Sequence, residues 1–170
     1  MYIRKSSQSD LPRLMEIFAE ARKTIAALGI DQWQDGYPNE PVIMEDIRLG
    51  RSYCLEQEGQ IWGTFVLVPE EPCYDHITDG TWLTAGKNYI AIHRVAVAVS
   101  KRGQGLPERI MSYAADHAAA MGRGSLRIDT HQGNRVMRRM LEKQGFRHCG
   151  TVYLSSGASR VAYERELQQS

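Results

Sequence analysis

The stretch Tyr89–Val99 is apolar on both faces, carrying Ile90, Ile92, Val95, Val97 and Val99, and it limits the fold more than any other segment. A strand without a polar face belongs in the interior of a sheet, covered on both sides. This one runs straight into Ser100-Lys101-Arg102-Gly103-Gln104-Gly105-Leu106-Pro107. Beyond that turn, Ile110, Met111, Ala114, Ala118 and Met121 recur at helical spacing until Gly122. A buried strand entering a helix this way leaves the first helical N–H groups aimed at one place, where the helix dipole favours negative charge. Gly103 and Gly105 keep side chains away from an approaching diphosphate, and Lys101 and Arg102 add positive charge. The same glycines also suit an ordinary strand-to-helix turn. No Gly-Lys-Ser/Thr follows, which excludes a P-loop, and no acidic residue closes a following strand as a dinucleotide fingerprint requires.

The rest of the chain supplies the elements such a strand needs. Tyr2–Lys5 reads as a short strand. Ser9 or Asp10 caps a helix with Pro12 in its first turn and Leu11, Leu14, Met15, Phe18, Ala21 and Ile25 on one face. A turn-rich loop bearing Trp33 and Tyr37 follows Gly29, and a second helix is expected over Ile43–Leu49. Ser52–Gln57 and Gln60–Val68 flank Glu58-Gly59 as a hairpin. Residues 69–88 read as an irregular excursion. Ser125–His131 is a strand, and Gly133-Asn134 opens a helix with Val136, Met137, Met140 and Leu141 inward. Phe146–Leu154 and Arg160–Leu167 are closing strands. This order predicts an α/β fold with a central mixed sheet of about seven strands and helices on both faces. Residues 1–170 are expected to form a single domain.

Hydrophobic residues at 42% and charged residues at 24% fit a soluble globule and exclude disordered, collagenous and coiled-coil classes. No apolar run approaches the ~18 residues of a membrane span, so no membrane partner is expected. MYIRKSSQSD has no apolar core of a secretory signal, and Cys54, Cys73 and Cys149 include no CxxC, so a reducing cytoplasm is the expected location. Cys73-x-x-His76 is a lone pair and predicts no metal. There is no Gly-x-Ser-x-Gly of a serine hydrolase. A net charge of +1 argues against nucleic acid as a partner. That total hides a division. Residues 87–147 hold twelve bases against four acids, whereas 24–47 and 52–86 hold five and six acids and no Lys or Arg. One part suits an anion and another a cation.

Arg102, Gly105 and Pro107 stand at the fixed places of Gln/Arg-x-x-Gly-x-Gly/Ala. After the next strand comes Asn134-x-x-Met137-x-x-x-Leu141-x-x-x-Gly145-Phe146. Together, at this separation, the two motifs resemble the GCN5-related N-acetyltransferase (GNAT) superfamily, whose element order agrees over essentially the whole chain. The resemblance implies acetyl-CoA as acetyl donor. Its diphosphate would lie on the amides of Gly103, Gln104 and Gly105 beside Arg102, and its pantetheine arm would pair with Val97 and Val99 like an extra strand. Asn134 would face it from the later helix. Two residues depart from the pattern. Pro107 removes one amide donor, and Leu141 replaces the tyrosine that commonly protonates the departing thiolate.

Amine acetylation needs a base for the released proton. His93 stands where the histone-acetylating branch of the superfamily has a glutamate, and by alternation it shares a face with Val95 and Val97. His131 is the second candidate base. Asp129 either pairs with Arg94 or orients His93 or the amine, and the hydroxyl of Tyr153 or Tyr163 is a candidate replacement acid. Trp33 and Tyr37 beside Asp31 would make an aromatic and acidic wall for an ammonium group, or simply pin their loop. The expected function is acetyl transfer to the primary amine of a small cationic metabolite, by direct attack in a ternary complex because no cysteine sits at the donor turn. The alternatives are a catalytically silent CoA-binding or sensing domain and a protein N-terminal or lysine acetyltransferase. The closing strands offer an edge for a homodimer.

Overall fold

Glu58 and Gly59 both adopt left-handed backbone, with φ of 54° and 75°. That is the geometry of the tight turn whose twist matches two antiparallel strands. The hairpin it closes, β2 (Ser52–Gln57) and β3 (Gln60–Val68), sets Ser52 opposite Val66. β1 (Tyr2–Lys5) adds antiparallel to β2 with Tyr2 opposite Glu56. The computed structural model describes residues 1–168, which gather into two compact units, Met1–Leu67 with Arg94–Ile110 and Val68–His93 with the chain from Met111 onward.

In the first unit, α1 (Leu11–Ala27) buries Leu14, Ile17 and Phe18, and α2 (Glu40–Arg48) buries Ile43 among them, with Cys54, Ile61, Ala96 and Ala98 completing the cluster. α2 starts three residues before the expected Ile43 because the Asn39 side-chain oxygen accepts the Val42 N–H at 3.1 Å and Pro41 fits the first turn. Asp10 precedes α1 but does not cap it with its side chain. Its carboxylate takes the Ser7 N–H at 2.7 Å and the Arg4 guanidinium at 2.8 Å.

In the second unit, the first part of β4 (Tyr89–Val97), through His93, runs parallel to β5 (Ser125–Thr130) with Tyr89 opposite Ser125. β7 (Ser159–Glu166) is antiparallel to β5 and forms a hairpin with β6 (Arg147–Tyr153). The strand order is β1-β2-β3-β4-β5-β7-β6, a mixed seven-stranded sheet. α3 (Leu106–Ala120) and α4 (Arg135–Lys143) complete the four helices. Two residues expected inward are not. Met121, 51% exposed, lies beyond the end of α3, and Val136, 73% exposed, is out of phase with the buried Leu141 at 3.6 residues per turn.

Residues 69–88 turn out to be tightly held. A 3-10 turn, Pro72–His76, buries Tyr74 against Tyr89, Ala91, Val152 and Ala162. Thr78 and Thr151 exchange backbone hydrogen bonds at 2.9 and 2.8 Å. Gly80 and Gly150 allow that contact. A Cβ on Gly80 would lie 1.9 Å from the Cys149 carbonyl oxygen, and one on Gly150 would lie 2.4 Å from that of Thr78. The buried Glu164 carboxylate accepts the Leu83 and Thr84 N–H groups at 2.6 and 3.2 Å, the Ser125 hydroxyl at 2.6 Å and the Thr84 hydroxyl. Arg127 donates to the same carboxylate at 3.1 Å, its guanidinium lying 4.3 Å from the Trp82 ring centre and 4.2 Å from that of Tyr89.

Candidate active site

Strand β4 ends at Val97, and Val99–Lys101 form a 3-10 turn before Arg102. Gly103 and Gly105 have φ of 72° and 74°, a conformation that costs a residue with a Cβ about 1–2 kcal/mol. Nothing lies within 4 Å of where a Cβ on Gly103 would stand, so the turn's main chain is open to a ligand. The first-turn N–H groups of α3 have no intrahelical acceptor, apart from position 107, where proline has no N–H to offer. This main chain fits a diphosphate.

Two α1 side chains one turn apart grip the turn. Glu20 accepts the Val99 N–H at 2.7 Å, and the Thr24 hydroxyl accepts the Arg102 guanidinium. Val99 therefore lies outside the strand with its N–H taken, which corrects the expectation that it pairs with an extended ligand as Val97 would. Gln104 donates to the Ser100 carbonyl at 3.4 Å. Lys101 rests over the Trp62 ring, 4.7 Å from its centre. In the same unit, Trp33 packs edge-on against Phe18 at 5.8 Å, and Tyr37 lies 5.4 Å beneath the Arg94 guanidinium, so both aromatics pin their loop, while Asp31 is exposed.

Arg94 has φ of 51° in the middle of β4, which breaks the two-residue alternation, so counting in twos no longer relates His93 to Val95 and Val97. Its guanidinium meets Asp46 at 3.1 Å rather than Asp129, correcting the expected pairing. Asp129 instead accepts the Tyr74 hydroxyl at 2.7 Å.

In the second unit, His93 Nε2 is 3.0 Å from Glu71 Oε2, off the line of an ideal hydrogen bond, and its ring lies 5.8 Å from that of Tyr74. The structure thus links His93 to Asp129 through Tyr74. The interaction with His93 holds the Glu71 carboxyl below its usual range, and burial, reinforced by Asp129, keeps the Tyr74 phenol protonated. His131 lies past the end of β5, where its Nδ1 accepts the Gly133 N–H at 2.9 Å. Asn134 caps α4 by accepting the Met137 N–H at 3.2 Å. Leu141 is fully buried hydrocarbon, Tyr163 is buried with its hydroxyl accepting Arg138 Nε at 2.9 Å, and Tyr153 is 49% exposed. Glu71, Glu20 and Thr24 escaped the sequence reading. Glu20 and Thr24 carry the spacing of one helix face, but nothing in the sequence ties Glu71 to His93.

The comparisons agree with this geometry. The acetyltransferase (GNAT) family model matches residues 11–146. A GNAT-family acetyltransferase from Streptococcus agalactiae is 32% identical, with 98% of this chain and 95% of that one covered at a TM-score of 0.84. One from Listeria monocytogenes, 22% identical over 98% and 94%, gives 0.73. The PaiA N-acetyltransferase of Thermoplasma acidophilum, solved with coenzyme A, is 18% identical over 97% and 98% and also gives 0.73. At the last two identities the likeness is one of fold. No functionally curated protein matches the chain. The chain belongs to the GNAT acetyltransferase family. It is an acyl-CoA-dependent N-acetyltransferase.

Proposed function

We propose that this enzyme moves an acetyl group from acetyl-CoA to the primary amine of a small cationic metabolite by direct attack in a ternary complex, with His93 taking the amine proton. The observation that carries direct attack is the state of the thiols. Burial pushes Cys54 up to about 11 and Cys73 up to about 12, with the charges of Glu71 and Asp129 adding to the latter, and burial also raises Cys149. A protonated thiol is a poor nucleophile, so no cysteine is set up to carry the acyl group.

Acetyl-CoA supplies the thioester. The amides of Gly103, Gln104 and Gly105 hold the diphosphate with Arg102, Val97 lends main-chain groups to the pantetheine arm, and Asn134 contributes its side-chain amide. His93 is favoured over His131 because the Nδ1 lone pair of His131 is spent on Gly133 N–H. Leu141 offers no proton, so the departing thiolate is protonated from solvent. A cationic acceptor is supported by Asp31, which is exposed and makes no ion pair among the described residues, whereas Asp46 is taken by Arg94 and Glu70 by Lys87.

Initial-rate kinetics over a panel of small diamines, polyamines and peptides with free N-termini test the reading. Intersecting double-reciprocal lines and a higher kcat/KM for the small cations are expected. Parallel lines with an acetylated protein after incubation with acetyl-CoA alone would overturn direct attack, and preference for peptides would overturn the acceptor class.

A further inference from the structure

We infer that Glu71 is a positioning residue for His93: it holds Nε2 and leaves Nδ1 as the nitrogen that receives the amine proton. The inference rests on the reading of His93 as base and assigns it an atom and a support. Nε2 is buried and, among the described residues, has only the Glu71 carboxylate beside it, at 3.0 Å. Among the described residues Nδ1 has no hydrogen-bond partner, and it is not a buried unpartnered atom, so it remains accessible. A carboxylate only accepts, and a neutral imidazole carries one N–H. The proton therefore sits on Nε2 and the lone pair on Nδ1.

Glu71 can do this because it is itself fixed. Its N–H donates to the Tyr89 hydroxyl at 2.9 Å, that hydroxyl donates to the Glu71 carbonyl at 3.3 Å, and Oε1 accepts the Cys73 N–H at 3.4 Å as the cap of the 3-10 turn. Tyr89 precedes His93 by four residues on β4, so one strand carries both the base and the peg that fixes its partner. Against the ring lies Tyr74, held by Asp129. The groups facing His93 are thus the Glu71 carboxylate and the neutral Tyr74 phenol with the Asp129 carboxylate behind it. In the transfer, the amine nitrogen bonds to the acetyl carbon and the C–S bond breaks with its pair to sulfur. The proton from nitrogen passes to Nδ1, the imidazolium is stabilised by Glu71, and solvent then removes the proton.

Two-bond 1H–15N correlation spectra of the uniformly labelled full chain report the tautomer of each of its five histidines, with His93→Gln assigning the signals. His93 is expected as the Nε2–H tautomer. In Glu71→Gln the amide can donate to Nε2, so the Nδ1–H form should grow. kcat should fall by about 10–100-fold with KM for acetyl-CoA nearly unchanged. Glu71→Asp should recover part of kcat. A wild-type Nδ1–H tautomer, or a Glu71→Gln enzyme with unaltered tautomer and rate, would overturn the inference. Its failure differs from failure of the base reading, which would show as full activity in His93→Gln. The wild-type spectrum decides even if a variant does not fold.

Discussion

Removing the carboxylate of Glu164 should destabilise the fold severely. Glu164 is 0% exposed and Arg127 2%. Truncation by Glu164→Ala leaves that guanidinium charged between two rings, and leaves two N–H groups and two hydroxyls without their acceptor. Breaking one side of a buried ion pair costs about 3–5 kcal/mol. The orphaned neutral donors push toward the upper end, since each unsatisfied group costs about 1–3 kcal/mol when it cannot reach water. For a chain of this length that is a fall in Tm of about 6–20 °C. Urea unfolding followed by tryptophan fluorescence reads it directly, because Trp82 stacks on Arg127. Arg127→Met/Glu164→Leu, which removes both charges, should recover at least half of the loss. The pH dependence adds a sign. Burial would raise the Glu164 carboxyl, but the Ser125 and Thr84 hydroxyls and the Arg127 charge outweigh it, leaving it lowered from 4.5. Its contribution is complete above the unfolded value and is lost as pH falls through the folded one, so wild type should lose stability below about pH 4.5 more steeply than the variant. A loss under about 1 kcal/mol, or a double variant no better than the single one, would refute the argument.

Pro107→Ala restores an N–H to the first turn of α3, and calorimetry should show acetyl-CoA binding tighter by up to about tenfold, the equivalent of one hydrogen bond of about 1.4 kcal/mol; unchanged affinity would mean that position 107 does not face the diphosphate. Buried Cys54, at about 11, should resist thiol-specific disulfide reagents at pH 8 in the native protein and react only on unfolding; rapid labelling of Cys54 in the folded enzyme would contradict its burial. Arg94→Gly relieves a left-handed residue by about 1 kcal/mol but strips the buried Asp46 of its cation, so a net loss of about 2–4 kcal/mol is expected in denaturant unfolding. A net gain there would show the strain to be the larger effect.

Most of the architecture could be read from periodicity. The hairpin about Glu58-Gly59, the buried β4 and the glycine turn need only local patterns, and β2 and β3 have the boundaries expected for them. The misreadings arise where one residue changes the phase of a pattern. Arg94 turns left-handed inside a strand that otherwise favours plain alternation, and no local rule marks an arginine for that conformation. Val99 carries strand-like character but bends into a 3-10 turn because Glu20, far away in sequence, takes its N–H. The candidate site divides the same way. The turn was legible because consecutive residues build it. The company of His93 was not, since Glu71, Tyr74 and Asp129 meet it through an excursion with no repeating pattern.

The glycine pair at 80 and 150 bears on how this sequence can drift. Between its anchors the excursion displays many side chains to solvent, and substitutions there have little to disturb. Gly80 and Gly150 are different, because each lies where another segment's main chain already occupies the space of a methyl group. Neither change can rescue the other, since each would clash with a different carbonyl. In genetic terms each is an independent position that only glycine can fill. A library randomised over residues 77–83 should therefore return almost any residue at the exposed Thr81, chiefly Gly, Asn or Asp at the left-handed position 79, and glycine alone at position 80.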